Sequence, residues 1–301
     1  PTESGLAASP SARALVPGKR LNFMFLVLDT LRQRDLGCYG AKGGISPNID
    51  HFARKSVLFR RAYSQAPWTK PSVASLFTGG YPRRHSTWEE RGRFSILAKK
   101  ANTMAEIFQH HGFTTVALSA NPNVAPHVGM GQGFDRFPHL SDYSNRTTAR
   151  LTEATLKELK RLKAAANPFL LYVHYLDPHD PYDPYVRTAY CTDRLGGAII
   201  TNEVVRSGKA HLLSGEDDLG KILRQGKLPT PRAMTPAEKD YIKGLYDCEV
   251  SLVDAAVGQV LQEVKALGLE QDTVVILTAD HGEEFQEHGL MRHGYQLFEE
   301  M

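Results

Sequence analysis

Cysteine is scarce in this chain: three in 301 residues, Cys38, Cys191 and Cys248. None stands in a CxxC pair, so neither a zinc knuckle nor a disulfide framework is expected, and the odd number leaves at least one free thiol. No apolar run approaches the roughly 20 residues that a bilayer-spanning helix needs. Charge of one sign is also missing. Lys and Arg number 36 against 33 Asp and Glu, a net charge of +3. No basic stretch is interleaved with aromatics, and Arg83-Arg84 and Lys99-Lys100 read as solvated surface, so no nucleic-acid partner is expected. There are no internal repeats. Residues 1–20 show neither helical nor strand periodicity and carry no apolar signal core; they read as a flexible leader ahead of a folded region, 21–301.

What the chain does have is two strands that each deliver an aspartate to their C-terminal end. LNFMFLVLD (21–29) closes on Asp29, and the β-branched run beginning TVVILTADHG at residue 273 breaks into Asp280, His281 and Gly282. Apolar runs of this length suit strands buried on both faces of a parallel sheet. Ligands of open α/β sheets bind outside the carboxyl ends of the strands. Two carboxylates and an imidazole at one sheet edge make a site for a divalent cation.

The other elements alternate. A short helix in SPNIDHFARK is followed by a strand expected around Val57–Phe59. PSVASLFTG (71–79) starts with Pro and stops with Gly, as a short helix does. NTMAEIFQHHG (102–112) reads as a helix capped by Asn102. Strand 114–121 comes next, then a helix from Arg146 to Lys163 and a buried strand, NPFLLYVHYLD (167–177). Residues 235–268 open with a capping box, Thr235 to Glu238, and place Ile242, Leu245, Val253, Val257, Val260 and Val264 on one helical face. Residues 185–231 lack periodicity and read as an irregular excursion. Strand and helix alternate, so a parallel sheet covered on both faces is expected. The sequence stops at YQLFEEM (295–301), directly after the second aspartate motif, and so reads as part of a longer protein.

Thr69 precedes the Lys70-Pro71 step and is positioned to cap the helix that follows. The same placement sets a hydroxyl beside the positive end of a helix, where phosphate or another oxyanion is held. A divalent ion at Asp29, Asp280 and His281 would lower the pKa of that hydroxyl and make it a nucleophile. Asn121, at the end of the Thr114–Ala120 strand, is either a turn residue or a donor to a substrate oxygen.

DTLRQRDLGCYG (29–40), SPNIDHFARKSVLFRRAYSQAPWTKPSVASLFTG (46–79), HYLDPHDPY (174–182) and ADHGEEFQEHG (279–289) resemble, in order, the motifs of the sulfatase family within the alkaline phosphatase superfamily. The resemblance implies a doubly wound, mostly parallel α/β domain, with most of a smaller C-terminal subdomain outside this sequence. It also implies one divalent metal on Asp29, Thr69, Asp280 and His281. A second ion would need further ligands, for which Asp177, His179 and His288 are candidates. Three departures stand out. Sulfatases carry paired acids on the first strand, where this chain has Asp29-Thr30. Their nucleophile is a Cys or Ser oxidised to formylglycine within a C/S-x-Pro-Ser-Arg motif, where this chain reads Thr69-Lys70-Pro71-Ser72-Val73. Their last metal strand usually ends Asp-Asn, where this chain has Asp280-His281.

Oxidation of threonine would give a ketone, not that aldehyde. Thr with Asp-His resembles the phosphorus-handling relatives: phosphodiesterases, phosphoglycerate mutases, phosphoethanolamine transferases and lipoteichoic acid synthases. The resemblance thus implies cleavage of phosphate or phosphonate esters through Thr69, by hydrolysis or transfer. Sulfate ester hydrolysis is the alternative, and a degenerate binding protein the rival of another class. His179 matches the family histidine that contacts the transferred group, and Lys70 stands in for the missing arginine. Arg292 and His293 fall where relatives place a substrate-binding Lys or His. An imidazole ligand favours manganese or zinc over calcium, the usual sulfatase ion. A small-molecule, lipid or glycan ester is the implied substrate, and an extracytoplasmic location the implied setting.

Overall fold

The first strand, β1 (Asn22–Leu28), lies at the centre of the molecule because its residues are apolar on both sides. The structure is a computed structural model that describes residues 20–87, 89–90, 93–94, 96–138, 140, 147–180, 182, 188, 191, 236–294 and 297–298. After β1 come α1 (Pro47–Ala53), α2 (Thr69–Thr78) and α3 (Pro82–His85), then a small hairpin of β2 (Glu89–Glu90) and β3 (Arg93–Phe94). Next are α4 (Met104–His110), β4 (Thr114–Ser119), α5 (Thr147–Ala165) and β5 (Phe169–Tyr175). The long α6 (Pro236–Ala266) leads to β6 (Thr273–Ala279) and a second hairpin, β7 (Glu284–Phe285) with β8 (Met291–Arg292).

Four strands form one wholly parallel sheet in the order β4-β5-β1-β6. Alternation along β1 divides the core. Met24, Leu26 and Leu28 face Leu151 and Leu159 of α5 and Tyr246, Val250 and Val253 of α6. Val27 faces the opposite layer, with Val73 and Phe77 of α2, Ala117 of β4 and Tyr172 of β5. Helices therefore cover both faces, the doubly wound arrangement that the alternating sequence predicts. No helix among the described residues is long and apolar enough to cross a membrane.

Several expectations are corrected. Val57, Leu58 and Phe59 form no strand; they are loop residues 82%, 36% and 69% exposed. β6 is half-exposed where its sequence predicts full burial, because among the described strands only β1 pairs with it. Thr69 is the first residue inside α2 and Trp68 holds the cap position. Thr103, not Asn102, caps α4, in a reciprocal box with Glu106. Leu245 leaves the apolar face of its neighbours and packs with Cys191 and Cys248. Those two cysteines are disulfide-bonded, and Cys38 is the free thiol. The first 19 residues, Thr235 of the expected Thr235–Glu238 box and nearly all of 185–231 lie outside the described residues.

Candidate active site

Strand register builds the site. β1 pairs with β6 so that Leu28 stands opposite Ala279, which brings Asp29 and Asp280 out side by side at the sheet edge. β1 pairs with β5 so that Val27 stands opposite His174. Because side chains alternate, His174 shares the face of Tyr172 and Val27 and points to the side from which Asp29 emerges. The start of α2 packs against this face and supplies Thr69 and Lys70, both buried.

The side chains close on one another. His281 Nε2 lies 3.5 Å from Asp29 Oδ1 and 3.5 Å from Asp280 Oδ2. Thr69 Oγ1 is 3.3 Å from the same nitrogen. His174 Nε2 lies 3.2 Å from Asp29 Oδ2 and 3.9 Å from Asp280 Oδ2. Asn121 Oδ1 accepts from the Asn123 backbone N–H at 2.7 Å, which fixes the amide and turns Nδ2 inward. That Nδ2 donates to Asp29 Oδ2 and, at 3.4 Å, to Thr69 Oγ1. Ser72, one turn into α2, donates its hydroxyl to the Asp280 carbonyl at 2.5 Å and fastens helix to strand.

The donor set fits a divalent cation. Asp29 Oδ1 and Asp280 Oδ2 are buried and accept no hydrogen bond, an arrangement that is costly unless a positive charge sits there. One ligand atom each from Asp29, His174 and Asp280 falls within a 4.8 Å cluster. Burial works to raise the Asp29 carboxyl, but the His174 hydrogen bond and the electrostatics of the neighbouring imidazoles hold it below the usual carboxylate range. Burial, followed by the Asp29 charge, pushes Asp280 up. Burial pushes His281 down. The His281 ring is thus neutral near pH 7, donating Nδ1–H to the Gly282 carbonyl at 2.9 Å and presenting Nε2 as a lone pair.

A second polar group borders the first. His179, Asp180 and His293 also cluster at ligand distances, but their atoms are engaged. Asp180 binds Arg292 at 2.7 Å. His179 Nδ1 meets the Asp180 carbonyl at 2.5 Å. His293 Nδ1 meets Glu283 at 3.0 Å. Burial would lower His293, but the Glu283 carboxylate prevails and lifts it to about 9. The ring of His293 stands 4.4 Å from that of His281 and 4.8 Å from that of His179. Arg292, expected at the substrate, is thus tied to Asp180. The trio Asp177, His179 and His288 is not assembled among the described residues. Asp177 accepts from Thr148, and the His288 ring stacks on Phe298 at 3.7 Å.

The sulfatase family profile matches residues 21–300. The chain belongs to the sulfatase family. Human iduronate 2-sulfatase is 26% identical over 89% of this chain and 56% of its own length. Rat steryl-sulfatase is 26% identical over 91% of this chain and 57% of its own. The chain therefore spans a little over half the length of these relatives. Among solved structures, the phosphonate monoester hydrolase of Agrobacterium radiobacter superposes with a TM-score of 0.66 at 19% identity, covering 93% of this chain and 66% of that one. The C-terminal periplasmic domain of EcEptC from Escherichia coli, solved in complex with Zn, gives 0.62 at 13% identity, with 92% and 68% covered. These likenesses establish the alkaline phosphatase type of fold.

In a sulfatase-family frame, Thr30 is the odd position. It follows Asp29 at a φ of 55°, and its buried hydroxyl makes no hydrogen bond. His174 is the site residue that motif reading passes over. It stands in HYLDPHDPY beside the more recognisable His179, inside a strand whose seven residues are all buried. The signal was an imidazole in an otherwise apolar or aromatic strand, FLLYVHY, which a buried parallel strand tolerates only with partners on hand.

Proposed function

We propose that this chain carries the active site of a metal-dependent ester hydrolase or transferase that cleaves phosphate or phosphonate esters through a covalent Thr69 intermediate. The observation that carries the reading is the hydroxyl of Thr69, 3.3 Å from His281 Nε2 within the two-aspartate pocket. A threonine there is a nucleophile in its own right and has no route to formylglycine. When bound by Asp29, Asp280, His281 and Thr69, a divalent ion supplies the positive charge that acidifies the hydroxyl and polarises a non-bridging substrate oxygen. Zinc or manganese suits the imidazole better than calcium does.

The chain's own residues do the rest. Asn121 holds Thr69 Oγ1 by an amide N–H and leaves its remaining lone pairs for attack. The Oγ–P bond forms as the hydroxyl gives up its proton to solvent and the P–O bond to the leaving group breaks, the leaving group taking up a proton to depart as the alcohol. Lys70, His179 and the positive end of α2 balance charge on the equatorial oxygens. His293, kept protonated by Glu283, places a further cation beside the pocket. Water, or an acceptor alcohol, then takes the group from Thr69. Such positioning and electrostatics account for most of phosphoryl-transfer catalysis. The Cys191–Cys248 disulfide supports an extracytoplasmic setting, where such bonds persist.

Sulfate ester hydrolysis is the second reading, favoured by the sulfatase names of the curated relatives. Nitrophenyl phosphate, phosphodiester, phosphonate and sulfate substrates, assayed with the chain and with Thr69→Ala, separate the two. Phosphorus esters should turn over best, and Thr69→Ala should lose at least about 10³-fold in kcat, as removal of a nucleophile does. Preference for sulfate, or a Thr69→Ala variant at full rate, would refute the proposal.

A further inference from the structure

Two buried imidazoles, not one, aim Nε2 at the paired aspartates. On the far side of each ring, Nδ1 is held by an oxygen: the Gly282 carbonyl at 2.9 Å for His281 and the Tyr172 hydroxyl at 2.8 Å for His174. A metal-ligating histidine is oriented in this way, with its other nitrogen tied to an oxygen acceptor. A zinc–nitrogen or zinc–oxygen bond is about 2.0–2.2 Å, so neighbouring ligand atoms of a tetrahedral site stand about 3.4 Å apart. The four imidazole–carboxylate distances are 3.2, 3.9, 3.5 and 3.5 Å. They lie near that edge length, with Asp29 turning Oδ2 to His174 and Oδ1 to His281.

Charge leads to the same place. Thr30 stands where sulfatases carry a second acid, so the pocket holds two carboxylates, Asp29 and Asp280, each with one unsatisfied buried oxygen. A dication neutralises both, and a further ligand must then be neutral to avoid burying excess charge. An imidazole ligating through a lone pair meets that requirement, and His174 is fully buried with its ring among these oxygens.

We propose that His174 joins Asp29, Asp280, His281 and Thr69 as a ligand of this metal centre, placing two carboxylates and two imidazoles around the threonine hydroxyl and selecting zinc-like ions over calcium. The inference rests on the reading that this pocket holds a divalent ion, and is independent of which ester is cleaved. Tyr172 is then the residue that orients His174, accepting its Nδ1–H and freeing Nε2 for the metal.

The test is X-ray absorption on the wild-type chain loaded with zinc, joined to zinc titrations against a competing chelator for wild type, His174→Gln and Tyr172→Phe. Two imidazoles on zinc are expected. His174→Gln should bind zinc at least about 10-fold more weakly and lose discrimination against calcium. Its cobalt-substituted visible spectrum should shift, and Tyr172→Phe should lose about 10-fold in affinity. One imidazole on wild-type zinc would overturn the proposal, as would a folded His174→Gln with unchanged affinity and cobalt spectrum. The wild-type measurement decides the matter even if both variants fail to fold. A wild-type chain that bound no divalent ion would sink the metal reading beneath both proposals. A preference for sulfate would sink only the reaction and leave the ligand set standing.

Discussion

His85 shows what burial does to a single side chain away from the candidate site. It is 6% exposed, and its Nδ1 accepts from the Thr87 backbone N–H at 3.2 Å. Its Nε2 lies 3.0 Å from Ser75 Oγ, which gives its own proton to the Pro71 carbonyl at 2.9 Å. Ser75 must therefore accept, so the ring is neutral with its proton on Nε2. Burial accordingly lowers the pKa of His85 below its ordinary 6.5. Below pH 6.5 the unfolded chain binds a proton that the folded chain resists, so this contribution is complete above 6.5 and is lost as pH falls through the folded value. Thermal unfolding between pH 7 and 5 should fall less steeply in His85→Asn than in wild type; parallel slopes would contradict the assignment.

At this same scale the sequence was uneven. Asp29, Asp280 and His281 were legible because they end apolar strands, where a change of residue type marks a sheet edge. His174 lay hidden because it sits within such a run. Asn121 was legible as a polar group at a strand end, but its choice of Asp29 over substrate depends on an amide orientation that only Asn123 reveals.

Among the elements, α1 and α6 are joined by one carboxylate. Asp254 of α6 accepts from the backbone N–H groups of Asn48 and Ile49 at 3.1 and 2.8 Å and from the Asn48 amide at 2.8 Å. It caps the first turn of a helix that is distant in sequence, which no local capping rule anticipates. Asp254→Ala leaves three donors without an acceptor and should cost about 2 kcal/mol or more, read as a lower urea midpoint at unchanged slope. The disulfide acts across elements too, tying Cys191 to Cys248 of α6 over a separation of 57 residues. Closing a loop of that length constrains the unfolded chain by about 4 kcal/mol, so Cys248→Ser should unfold at distinctly lower denaturant. Spacing alone hid this pair because its partners meet only after α6 packs on the sheet. The parallel strands, by contrast, were readable from composition, since strands inside a two-faced sheet need no polar alternation. Val57–Phe59 misled for the same reason: a β-branched and aromatic run says nothing about whether a neighbouring strand is present.

For the whole molecule, the site opposes the fold in the absence of an ion. Two buried carboxylates face each other with unsatisfied oxygens, and burial and mutual repulsion push Asp280 up. An ion present at 100 times its Kd would stabilise the folded chain by about 2.7 kcal/mol. Chelation should therefore lower Tm, and adding zinc back should restore it. Asp280→Asn, which removes one buried charge and keeps an oxygen to accept from the His281 N–H, should raise Tm in chelator and abolish the zinc response. A variant less stable than wild type under chelator would argue that the two carboxylates are not in conflict.

The pairing of Leu28 with Ala279 has one more consequence. Thr30 and Asp280, adjacent across that rung, are 250 residues apart in the chain. A one-residue slip between β1 and β6 would carry Asp280 to the opposite face of the sheet. An ion held by the proposed ligands would act as a reversible cross-link that forms only when β1 and β6 have met in the correct alignment. Uptake of a divalent ion would in that sense be a readout of completed folding. Amides of β1 and β6 should exchange their hydrogens markedly more slowly once it is bound.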